Sequence, residues 1–74
     1  MHYADVMKIS ARNQLQGTIV SVAHGAVNGT VKVDIGNGVV VTSSITDEAI
    51  NELDLREGDK VTVLIKASDV LVAK

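Results

Sequence analysis

Residues 30–45, TVKVDIGNGVVVTSSI, constrain the fold more than any other stretch of this chain. Val31, Val33 and Ile35 alternate with Lys32 and Asp34, the period-two pattern of a strand with one buried and one wetted face. Gly36, Asn37 and Gly38 follow as a hairpin signal, because Gly and Asn tolerate the positive φ that tight turns need. VVVTSSI then supplies the returning strand. A chain that commits its middle to an antiparallel hairpin must find other strands to cover the apolar face.

The flanking segments provide them. An earlier strand is expected from Lys8, and its GTIVSVAHG portion sets Ile19 beside Val20, as in a strand buried on both faces. HGAVNG reads as a turn. After the hairpin the period changes. SSITDEAINELDL places Ala49, Ile50 and Leu53 on one helical stripe, with Thr46 as N-cap and Asp47 and Glu48 in the first turn, where the helix dipole favours acid. REGD is a turn, KVTVLIKAS points Val61, Val63 and Ile65 inward, and DVLVAK reads as a last short strand. The predicted order is β-β-β-α-β-β: an all-β domain with one short helix, of the five-stranded barrel type known as the OB fold. Residues 1–6 read as an N-terminal tail and 7–74 as a single domain.

Composition narrows what such a domain can do. At 74 residues with no cysteine, the chain has neither disulfide nor thiolate metal site to compensate for a small core. Tyr3 is its one aromatic residue, although 46% of the residues are hydrophobic. A core of small aliphatics is thin, so contacts between subunits are expected to supply missing burial. The formal charge is −2. Single-strand-binding barrels rely on aromatic platforms and a positive groove, and this sequence offers neither, so no nucleic-acid partner is expected. No apolar run approaches the roughly 18 residues of a membrane span and the start lacks the apolar stretch of a signal peptide, so a cytoplasmic protein without a membrane partner is expected.

Catalysis finds little support. His24 sits in the glycine turn without an evident partner, and Asp47, Glu48, Glu52, Asp54, Glu57 and Asp59 read as a solvated face around the helix and the turn after it. What remains is a surplus of hydrogen-bond donors. KISARN carries Lys8, Ser10, Arg12 and Asn13; VTSSIT carries Thr42, Ser43, Ser44 and Thr46; LIKAS carries Lys66 and Ser68. Each segment taken alone is ordinary, with Ser and Thr alternating outward on a strand and Lys and Arg solvated. Lys66 says more, since it follows the apolar VLI run, where a partly buried cation would want an anion. Hydroxyls, backbone N–H groups and a few cations are what a small oxyanion requires, and bonds to a charged oxygen are the stronger kind.

KISARNQLQGTI, GAVN and IKAS, in this order and spacing, resemble the molbindins, the small molybdate-binding Mop domains, over residues 7 to 73. The resemblance implies an OB-type barrel and a hexamer built as a trimer of strand-exchanged dimers. It also implies molybdate or tungstate bound at subunit interfaces, in a protein that performs no reaction and serves molybdenum storage or homeostasis. Carried over by position, it nominates Ser10 and Arg12, then Lys66, Ala67 and Ser68, then Ser43, Ser44, Ile45 and Thr46. Val27 and Asn28 of the GAVN loop are nominated for a second type of site near the threefold axis. An alternative role is a regulatory or structural sensing module acting through a protein partner.

The chemistry suits the ligand. Molybdate at neutral pH is a dianion that only accepts hydrogen bonds, so a pocket of donors fits it. Phosphate at pH 7 keeps a proton that such a pocket leaves unpaired, at a cost of about 1–3 kcal/mol. Sulfate must be rejected by size. Asp69 directly follows Ser68, and strand alternation predicts that its carboxylate faces away from the pocket.

Overall fold

The computed structural model describes residues 10–74. Strand β1 runs Asn13–Ala23, β2 Asn28–Gly36 and β3 Val39–Thr46; a short helix α1 spans Asp47–Glu52, and β4 spans Lys60–Ile65. A single 3-10 turn, Ala67–Asp69, follows β4. Among the described residues the strands form one four-stranded antiparallel sheet in the order β3-β2-β1-β4, curled into a half-barrel.

The alternation in the central hairpin sets its register. Val31 pairs with Val22 and Ser43, and Val33 with Ile19 and Val41, so these side chains share the inner face. The turn has positive φ at Asn37 (54°) and Gly38 (76°), the two central residues of a type I′ hairpin loop. Gly36 N–H closes it by donating to Asp34 Oδ1 at 2.8 Å. Ile19, Val31, Val33 and Ile50 form the buried cluster, with Ile35, Ile45, Leu55, Val61 and Val63 packed around it. Ile50 comes from α1, which Thr46 caps by accepting from Ala49 N–H at 3.1 Å. One turn of helix thus plugs an end of the half-barrel.

Four expectations about the chain are corrected. Val20 is not buried: a register shift between Ile19 and Ser21 marks a bulge that leaves it 43% exposed. Leu53 is not part of the helical stripe, because α1 ends at Glu52 and Leu53 becomes its C-cap, 67% exposed. The first strand starts at Asn13, and Lys8, like the rest of residues 1–9, lies outside the described residues. The fifth strand is not formed. DVLVAK begins inside the 3-10 turn and continues without regular structure, with Leu71 94% and Val72 92% exposed. A strand needs a neighbour for its backbone groups, and among the described residues both β3 and β4 are sheet edges without one on their outer side. The inner face is left as an open apolar groove, floored by Ile19, Val31 and Val33 and walled by Ile45, Val61 and Val63.

Candidate functional site

The nominated residues gather at two corners of the sheet. At the first, Asn13 pairs with Ile65 across β1 and β4, and Asn13 Nδ2 donates to the Ile65 carbonyl at 3.1 Å. Arg12 immediately precedes Asn13 and Lys66 immediately follows Ile65. Ser10, Arg12, Lys66, Ala67 and Ser68 therefore collect at one end of this strand pair, all exposed. Ala11 between them is buried and anchors the segment, and Gln14 Nε2 donates back to its carbonyl at 3.3 Å.

Two expectations fail at this corner. Lys66 is exposed and not partly buried, because β4 ends at Ile65 and the chain turns there. The alternation argument for Asp69 also lapses. Its N–H donates to the Lys66 carbonyl at 2.8 Å and Val70 N–H to Ala67 at 3.2 Å, so Ser68 and Asp69 are successive residues of a 3-10 turn and not opposite faces of a strand.

At the second corner, the alternation of β3 divides its nominated residues. Thr46 pairs with Asn28 and Ser44 with Thr30 on the outer face, with Thr42 opposite Lys32 further along it. Ser43 and Ile45, opposite Val31 and Gly29, turn inward and line the groove. Capping occupies a lone pair of Thr46 Oγ1, which leaves its O–H free to donate. The GAVN loop lies against the same corner: Asn28 is the cross-strand partner of Thr46, the Val27 carbonyl accepts from Asp47 N–H at 2.8 Å, and the Val27 side chain is 70% exposed. The residues nominated for two types of site are thus neighbours here.

This corner also holds a contact that the sequence reading missed. His24 has a partner: its Nδ1 lies 3.3 Å from Asp47 Oδ1, which also faces Gly25 N–H at 3.4 Å. The signal was the hairpin register, which once Asn28 pairs with Thr46 brings the loop before Asn28 onto the residue after Thr46.

The two corners are far apart within one chain. β3 and β4 are opposite edges, and Thr46 and Lys66 end at opposite ends of the strands, because β1 runs antiparallel to β2 and β4 while β2 runs antiparallel to β3. A further polar hollow lies on the outer face of β1 and β4, between Gln16, Thr18, Lys60 and Thr62. The Lys60 ammonium there already donates to Thr18 Oγ1 at 2.8 Å. Among the described residues no three His, Cys, Asp or Glu side chains gather as metal ligands, and no helix is long and apolar enough to cross a membrane.

Fold and site together define a small curled-sheet domain that displays hydrogen-bond donors at its corners. The TOBE domain family model matches residues 9–72. A probable molybdenum-pterin-binding protein of Haemophilus influenzae is 48% identical over 66 residues, which cover 89% of this chain and 96% of the relative. The solved structure of a molybdate-binding protein from Sporomusa ovata superposes with a TM-score of 0.86 at 40% identity, covering 92% of this chain and 100% of that one. ModG, described as a cytoplasmic molybdate-binding protein, superposes at 0.85 with 39% identity over 96% of this chain and 50% of its own. The chain belongs to the TOBE domain family and, within it, to the molybdenum-pterin-binding (Mop) proteins.

Proposed function

We propose that this protein binds molybdate or tungstate as the intact oxyanion, at interfaces between copies of itself, and serves molybdenum storage or homeostasis in the cytoplasm. The observation that carries this reading is the placement of the donors. Arg12, Lys66 and Ser68 collect at one corner, Ser44 and Thr46 at the diagonally opposite one. A single tetrahedral anion touches both sets only if they come from different chains. The cations of the first corner supply charge and the hydroxyl of Thr46 supplies a directed donor. Ala67 keeps the turn between Lys66 and Ser68 free of bulk.

The open groove and sheet edges favour the same assembly. The exposed Val70–Leu71–Val72 segment has the apolar character to cover the groove of a partner and to complete its barrel as a fifth strand. Such an exchange builds dimers, and three of them make the hexamer that the family resemblance implies. The kinship with ModG supports the cytoplasmic setting. Ser43 and Ile45 then shape the wall beneath the anion, and Val27 and Asn28 form the second type of site beside it.

Titration calorimetry with molybdate and with tungstate, against sulfate and phosphate, tests the binding. Heat with the first two and none with the others is expected; no heat with either metal oxyanion overturns the reading. Native mass spectrometry tests the assembly, which is expected to be a hexamer carrying bound molybdenum.

A further inference from the structure

The second corner places a carboxylate beside a proposed anion site, an arrangement that opposes binding unless the charge is compensated. Asp47 directly follows Thr46, and its carboxylate is half-buried, at 21% exposure. It is tied to the GAVN loop through side chain and backbone together. Oδ1 faces His24 Nδ1 at 3.3 Å and Gly25 N–H at 3.4 Å, while Asp47 N–H donates to Val27. The next residue of the loop strand is pressed as closely: a Cβ at Gly29 would stand 2.7 Å from Asp47 Oδ1 and 2.5 Å from Ile50 Cδ1. Only a glycine at position 29 leaves the carboxylate this place beside the loop strand.

We infer that His24 is a proton-dependent positioning residue for the oxyanion site, neutralising Asp47 when protonated and thereby linking anion binding to proton uptake. The inference rests on the function proposed above. An imidazole is the side chain whose charge changes between pH 5 and 8. Among the described residues the ionisable groups around it are few. Helix α1 brings Asp47 and Glu48. The adjoining ends of β1, β2 and β3 bring Ala23, Asn28, Thr30 and Thr46, none of them ionisable, with Lys32 next along the outer face of β2. With His24 neutral, the corner presents uncompensated carboxylates to a dianion. With His24 protonated, the pair is neutral and the loop carrying Val27 and Asn28 is held to α1 by an ion pair as well as a hydrogen bond.

The test is molybdate titration of the full-length protein between pH 6 and 8, where the anion itself stays a dianion. The wild type is expected to bind about fivefold more tightly at pH 6 than at pH 8, the scale of an ionic interaction in a partly solvated site. His24→Gln should bind with the weaker affinity at both pH values, and His24→Lys with the stronger one at both. Asp47→Asn, which removes the opposing charge, should raise affinity at pH 8. A wild-type affinity independent of pH, or a slope that persists in His24→Gln, overturns the inference while leaving the binding function standing. No molybdate binding at any pH removes both.

Discussion

The two donor corners are built on opposite plans. The corner of Arg12 and Lys66 is chain that has left the sheet: exposed side chains on a short turn, held by the Asn13–Ile65 contact and the buried Ala11. The corner of Thr46 is locked into the sheet and helix at once, by strand pairing to Asn28, by capping of α1 and by the ties of Asp47 to the loop. One corner carries charge on a loose scaffold, and the other carries directed hydrogen bonds on a rigid one. The site proposed between two chains would gain from the division. There the rigid half would set geometry for a tetrahedral anion, and the long cationic side chains of the loose half would lose their freedom only when ligand arrives.

Substitutions that strike one corner and spare the other test this division. Ile50→Ala removes the plug under the rigid corner and should lower stability by about 2–5 kcal/mol, read from denaturant unfolding. Lys66→Ala removes the charge of the loose corner. It should weaken molybdate binding by about a hundredfold or abolish detectable heat, with little change in the stability of the anion-free protein, since Lys66 makes no side-chain cap bond to the turn that follows it. Thr46→Val strikes both functions of one hydroxyl. It should cost about 1 kcal/mol of stability through the lost cap and about tenfold in affinity, while Thr46→Ser retains both. Arg56→Ala breaks the exposed pair with Asp54, 3.0 Å apart and away from either corner, and should change stability by no more than about 0.5 kcal/mol. If Thr46→Val and Lys66→Ala moved affinity and stability in equal measure, the contrast between the corners would fail.

How far each corner was legible from residues alone follows the same contrast. Val31 and Val33 advertise their burial because strand alternation is enforced by the core, and Thr46 advertises its role because capping is chemistry between near neighbours in the chain. The Asn37–Gly38 turn is equally local. Failures arise where a distant or missing partner decides. Val70–Val72 has strand composition but, among the described residues, no strand beside it, and that also undid the alternation argument for Asp69. Lys66 looked partly buried because the run before it is apolar, yet the turn begins one residue later. Val20 depends on a bulge, an insertion that only the pairing with β2 reveals. His24 seemed partnerless because Asp47 lies two strands away in sequence and adjoins it only through the register of β2 on β3.

The open edges of β3 and β4 carry a consequence for how this protein persists at low abundance. A chain whose barrel is closed by a neighbour folds by a second-order process, and its folded fraction obeys mass action. On the strand exchange proposed above, the melting temperature should climb as protein concentration rises, and dilution alone should unfold the protein. Bound anion at the interface would counter dilution, so the amount of intact assembly would itself record how much oxyanion is present.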